Sequence, residues 1–202
     1  MLALFLSSCS VLDSPSYKTF SHMFPSFGGK PVFGKFDPNY RYIEIKFRGQ
    51  VSIMASSNPY SDPEQTWLSP ASEVLVMQDG RLKQTAGLGV EWRHVVIPKL
   101  PAWSVLAKSD EPFEWTRIRD VMPGYRYGVR DRLLLQKMQA PGKSDYDGDP
   151  EKLVWFKERD LSKNPLPPAT YAYDPAKSRI VYGEQCLSRD FCFSWQERQG
   201  GR

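Results

Sequence analysis

Apolar and polar side chains alternate along much of this chain with a period of two, the spacing of strands buried on one face. Tyr40 to Arg48 sets the pattern, with Ile43, Ile45 and Phe47 on one side and Glu44, Lys46 and Arg48 on the other. Gly49-Gln50 breaks it, and Val51 to Ala55 resumes pairing. Val90, Trp92, His94 and Val96 share one face of a further strand that Pro98 ends, which makes His94 a hydrogen-bonded core or boundary residue. Tyr125 to Met138 is long for a single strand, Lys152 to Arg159 forms another, and Phe191, Phe193 and Trp195 line one side of the last. Phe113 to Val121 reads as a strand or a short irregular element, and Pro98 to Pro112 as a long excursion carrying Trp103.

Turn chemistry joins these segments. Glu73 to Met77 is an apolar run, Asp79-Gly80 supplies the positive φ angles of a two-residue turn, and Arg81 to Thr85 leads away as a more polar strand. That is a hairpin with one buried arm. Thr170 to Tyr173 and Arg179 to Tyr182 form a second, joined through Asp174 to Ser178. Aromatic content of 13%, seventeen prolines and the lack of long helical stretches agree with the alternation. The expected fold is all-β and mainly antiparallel, an open barrel or two-layer sandwich with long loops.

The N-terminus changes the picture. Met1 to Leu6 is apolar and runs into Leu6-Ser7-Ser8-Cys9, the aliphatic-small-small-Cys arrangement of a bacterial lipobox. Such a signal makes Cys9 the first mature residue and places a diacylglycerol on its thiol, so that acyl chains, at about 0.8 kcal/mol per buried CH₂, hold the protein on a membrane. The signal lacks a basic n-region and its apolar segment is short, which suggests a start codon further upstream. The chain then divides into a signal peptide at 1–8, a lipidated tether at 9–39, rich in Ser, Pro, Gly and Phe with a short helix around Tyr17 to Met23, and a single β-rich domain at 40–202. No apolar run is long enough to span a bilayer as a helix.

With Cys9 assigned to lipid, Cys186 and Cys192 remain as an even pair with five residues between them, either a disulfide closing a hairpin or two free thiols. A net charge of +4 is too mild to indicate nucleic acid. Two histidines, of which His22 stands alone in the tether, leave little scope for metal sites or catalytic triads. Asp145-x-Asp147-Gly148-Asp149 places carboxylates at alternate positions. Pro150 and Phe156 nevertheless stand where a calcium loop needs its glycine and its bidentate Glu, so a solvated acidic loop is expected. None of the common nucleotide-binding, hydrolase or metalloprotease motifs occurs. No cofactor, metal ligand or catalytic residue is assigned.

One ordered set of residues adds a relationship that physics alone does not supply. Trp67, Leu68 and Ser69, then an apolar strand, then Gly80, Arg81 and Leu82, and finally Thr85, Gly87 and Leu88 resemble the core signature of the YjbF/GfcB-like lipoproteins, which are found with exopolysaccharide and group 4 capsule genes. A looser resemblance continues through Trp115 and Arg117 and the hairpin from Tyr171 to Tyr182. The resemblance implies a non-catalytic accessory factor in making or exporting such a polymer, acting with other envelope proteins of the pathway. By analogy with the family, and because Ser10 is not the Asp that retains lipoproteins in the inner membrane, attachment to the outer membrane facing the periplasm is expected.

Two other readings stay open. A polysaccharide-binding module would use Trp67, Trp92 or Trp115 for stacking beside Arg81, Arg117 or Arg126. The strongest cationic bias supports an acidic polymer there, with eight basic and five acidic residues between Lys108 and Lys143 and Tyr125 and Tyr127 among them. A polysaccharide-modifying enzyme would need two carboxylates at catalytic separation, and the sequence points to no particular pair.

Overall fold

The computed structural model describes residues 36–198 apart from 38, 57, 59–61 and 71. Cys9 with its lipobox, His22 and the short helix expected around Tyr17 to Met23 lie outside the described residues.

Twelve antiparallel strands follow one another around a nearly closed barrel. They are β1 (Arg41–Phe47), β2 (Gln50–Ser56), β3 (Glu64–Leu68), β4 (Val74–Gln78), β5 (Arg81–Ala86), β6 (Glu91–Val96), β7 (Phe113–Met122), β8 (Arg126–Met138), β9 (Val154–Asp160), β10 (Ala169–Asp174), β11 (Arg179–Ser188) and β12 (Phe191–Arg198). Every strand from β1 to β5 and from β6 to β12 pairs with its neighbours in sequence, and β1 pairs with β12. Only β5 and β6 meet without a ladder; there the backbone N–H of Trp92 donates to Thr85 Oγ1 at 2.9 Å across the seam. Closure settles the choice between barrel and sandwich, and it leaves almost no free sheet edge to aggregate.

The period of two decides what fills the barrel. Ile43, Ile45 and Phe47 of β1, Phe156 of β9, Tyr171 and Tyr173 of β10, and Phe193 and Trp195 of β12 all turn inward into one core. Burying each such side chain contributes about 1.5–3 kcal/mol. The excursion between β6 and β7 carries a four-residue helix, α1 (Trp103–Leu106), and buries Trp103 and Leu106 in that core. In a meander the connections alternate between the two ends. The β4–β5 turn, the β10–β11 turn, α1, the start of β1 and the end of β12 therefore share one end, and the β7–β8 turn lies at the other.

Two expectations fail in instructive ways. His94 does not lie on the apolar face: a bulge gives it a φ of 46° and shifts the register between Arg93 and Val96, so that Trp92 and Val95 point inward. His94 is exposed and its Nδ1 sits 3.1 Å from Asp120 Oδ2. The acidic loop after β8 is not merely solvated either. Asp145 accepts from Ser194 Oγ at 2.8 Å, and Asp147 accepts from Gln196 and Arg198 of β12. Tyr146 then packs edge-on against Trp155 and Tyr182, a second small core on the outer face of the barrel.

Candidate functional site

The charges that alternation assigns to solvent lie partly inside the barrel. Arg117 and Arg119 of β7 both reach Asp131 of β8, with Nε–Oδ2 distances of 2.9 and 2.6 Å, and both guanidiniums lie over the indole of Trp92, at 4.4 and 4.5 Å. Burial alone would raise the Asp131 carboxyl, but the two arginines outweigh it and hold the group below the usual carboxylate range. Deeper still, Arg81 of β5 is only 3% exposed and stacks on Trp103 at 3.9 Å, with Trp115 and Tyr171 at 5.6 and 5.7 Å. Its nearest anion is Glu158, 3.8 Å away, and burial pulls its pKa down despite that charge. Glu158 also accepts from Trp115 Nε1 at 3.1 Å and from the Tyr171 hydroxyl at 3.2 Å, and burial pushes that phenol well up.

These positions correct the expected sugar-stacking face. Trp67, Trp92, Trp115, Arg81 and Arg117 are all buried, so they form no open groove for a polymer; of the six candidates only Arg126 is exposed. The physical reason is the size of a twelve-stranded barrel, whose interior is too wide for aliphatic side chains alone and is filled by rings and paired ions.

The signature stretch is a structural unit instead. Ser69 Oγ accepts from the Glu73 backbone N–H at 3.1 Å and fixes the β3–β4 turn. Gly80 has a φ of 79° and lies so close to Ile180 that an added Cβ would stand 2.7 Å from that residue's Cβ. Leu82 is fully buried, Thr85 bridges the seam, and Gly87, with a φ of 78°, sits against Glu73. The arm expected to be polar therefore buries Arg81, Leu82 and Thr85 and exposes only Gln84.

Trp67 opens onto a cleft at the barrel end where β1 begins and β12 ends, with a volume of about 180 Å³. Trp103 and Trp195 also line it. Its lining carries Arg41 and Arg179 beside Asp62, Asp79 and Glu197: Arg179 grips Glu197 with two hydrogen bonds of 2.8 and 3.0 Å, and Arg41 stands 3.6 Å from the same carboxylate. Trp195 owes its pose to Gly183, its partner across β11 and β12, because a Cβ there would come within 2.6 Å of the indole Nε1. Nothing in the sequence pattern marks Trp195 as different from the other inward-facing rings, since only the register sets it over a glycine.

Other surfaces offer less. A wider depression of about 620 Å³ runs beside the Cys186–Cys192 disulfide, whose Cα atoms are 3.9 Å apart across the β11–β12 pair. Its Lys46 is already engaged by Asp145, Asp147 and Glu44. At the far end, Tyr125 and Tyr127 are 74% and 66% exposed on either side of Arg126, in the cationic stretch the sequence points to. Residues 38–147, more than half of the chain, match the protein family described as group 4 capsule polysaccharide lipoprotein gfcB, YjbF.

The chain belongs to the YjbF family. The match contains the whole signature from Trp67 to Leu88 and the β7–β8 pair. In three dimensions this YjbF-family chain is similar to the crystal structure of the hypothetical lipoprotein YmcC from Escherichia coli K12, with a TM-score of 0.60 and 13% identity over 93% of this chain and 98% of that one. At that identity the likeness speaks for the fold alone. No curated protein sequence matches.

Proposed function

We propose that this protein is a non-catalytic accessory lipoprotein in the production or export of an extracellular or capsular polysaccharide. The observation that carries the reading is the family match over residues 38–147. In this account a lipid on Cys9 anchors the chain at the outer membrane, and the barrel faces the periplasm and works with other envelope proteins of the same pathway. The Leu6-Ser7-Ser8-Cys9 sequence and the Ser at position 10 support that placement. The packed interior supports a role as a rigid binding or assembly body rather than a conduit, and the buried carboxylates Asp131 and Glu158 are committed to arginines rather than poised for chemistry. A second reading, direct contact with the polymer, is favoured by Tyr125 and Tyr127, which stand exposed on either side of Arg126.

Replacing Cys9 by Ala in a strain lacking the native gene tests the reading. The Cys9→Ala chain is expected to leave the outer-membrane fraction and to fail to restore extracellular polymer where the wild-type copy restores it. A Cys9→Ala chain that still fractionates with the outer membrane contradicts the anchor.

A further inference from the structure

Every arginine that lies in a strand other than β8 and β9 has a carboxylate no more than 3.8 Å away: Arg41, Arg81, Arg93, Arg117, Arg119, Arg179 and Arg198. The arginines of β8 and β9 depart from this rule. Arg126, Arg130 and Arg132 of β8 and Arg159 of β9 are exposed, and none of them has an ion-pair partner among the described residues. Arg159 donates only to the neutral side chain of Gln136, at 3.4 Å. Lys157 of β9 is exposed and unpaired in the same way.

The strand register sets four of these cations in a row. Arg130 and Arg132 stand opposite Ile118 and Thr116 of β7, whose neighbours Arg117 and Arg119 turn inward, so both face outward. Across the next ladder Arg159 is paired with Leu134 and Lys157 with Gln136. Positions 130, 132, 134 and 136 are successive outward levels of β8, and each level carries one cation, from β8 at the first two and from β9 at the last two. Levels recur every two residues, about 6.6–6.8 Å, so the row climbs about 20 Å of the barrel wall. Ser162 holds the next loop against its lower part, accepting from the Arg132 N–H at 2.9 Å and donating to the Arg130 carbonyl at 3.4 Å, which brings exposed Lys163 beside it. The carboxylates at outward positions of β7 are Glu114 and Asp120, and Asp120 is already engaged by the Gly128 N–H and by His94. The face keeps a surplus of positive charge.

Neighbouring like charges weaken a sheet, so the row does not serve the fold. It matches a linear polyanion whose own charges recur along its length, and arginine forks grip carboxylates and phosphates. At the end of the row Tyr125 and Tyr127 present exposed rings, each with an apolar face and a polar tip, as a sugar has. A lipid surface fits less well. Interfacial binding draws on apolar burial as well as charge, and no large apolar side chain is exposed from Arg130 to Gln136 or from Lys157 to Arg159.

We propose that the outer face of β8 and β9 binds an acidic polysaccharide lengthwise, with Arg130, Arg132, Arg159 and Lys157 each holding one of its anionic groups. The proposal rests on the polysaccharide reading above for the identity of the polymer, and on the unpaired row for the site itself.

The test titrates fluorescently labelled oligogalacturonate, an acidic polysaccharide of defined length, into the full chain and follows its anisotropy, with dextran of equal length as the neutral control. Saturable binding is expected for oligogalacturonate and none for dextran. The contacts are exposed, so binding should weaken at least about tenfold as salt rises from about 50 to about 300 mM. Arg132→Gln combined with Arg159→Gln is expected to weaken it about tenfold, while the charge-matched pair Lys99→Gln and Lys108→Gln, exposed on the excursion before β7, leaves it within about twofold. No saturable binding of oligogalacturonate to the unsubstituted chain overturns the proposal, whatever the variants do. Dextran binding as tightly, equal loss in the two pairs of variants, or binding of anionic phospholipid vesicles in place of the oligogalacturonate overturns it too. Polymer lost on deletion of the gene with oligogalacturonate unbound removes the site and leaves the polysaccharide role standing. Unchanged polymer with oligogalacturonate bound through Arg132 and Arg159 keeps the site and removes the role.

Discussion

The guanidinium of Arg81 lies 3.9 Å over the indole of Trp103, so the wall strand β5 and the plug helix α1 are held together inside the barrel. Arg81 has Glu158 at 3.8 Å as its nearest anion, and its Nε and Nη2 find no hydrogen-bond acceptor among the described residues.

Trp103→Ala is therefore expected to cost about 3–5 kcal/mol, the range for deleting a large buried ring. Loss of a desolvated cation–π contact, about 2 kcal/mol, falls within that range. Urea unfolding of the two chains measures the difference. A loss under about 1 kcal/mol would mean that the plug is not packed as described.

The Arg117–Asp131–Arg119 cluster predicts an acid limit. In the unfolded chain the Asp131 carboxyl titrates near about 3.9, and in the barrel it titrates lower. The stability it supplies is complete above about pH 4 and is lost as the pH falls through the lower folded value. Asp131→Asn leaves two buried guanidiniums uncompensated and is expected to cost about 3–5 kcal/mol at neutral pH. It should also flatten the acid limb of the stability curve, which thermal melts across pH record directly.

Gly80 makes the third test. Its φ of 79° and the 2.7 Å approach of a Cβ at this position to Ile180 penalise any side chain twice. Gly80→Ala is expected to destabilise by about 1–3 kcal/mol, read as a lower urea midpoint with an unchanged slope. An unchanged midpoint would mean the turn is not of the tight kind described.

Much of this fold was legible because the signals were local. Ile43, Ile45 and Phe47 could point only one way, Asp79-Gly80 could make only one kind of turn, and the hairpin at Tyr171 to Tyr182 follows from the same rules. His94 escaped because one bulge reverses every later side chain in a strand, and a bulge has no reliable marker there. The sugar-stacking face was misplaced for a different reason. Alternation tells which residues share a face, but not that a closed barrel turns Arg81, Arg117 and three tryptophans inward, where aromatic rings and carboxylates hold the charges. Tyr125 and Tyr127 beside Arg126 were visible in sequence and are exposed in the structure, whereas Trp195 gains its character from Gly183, a relationship set by register across β11 and β12.

The most direct measurement of the central claim is the amount of polysaccharide in the extracellular and periplasmic pools of a strain lacking this gene, beside the same strain carrying the gene in trans. The account predicts that extracellular polymer falls on deletion and returns on complementation, with polymer retained in the periplasm if the protein acts in export. Unchanged pools under conditions where the pathway is expressed would contradict it.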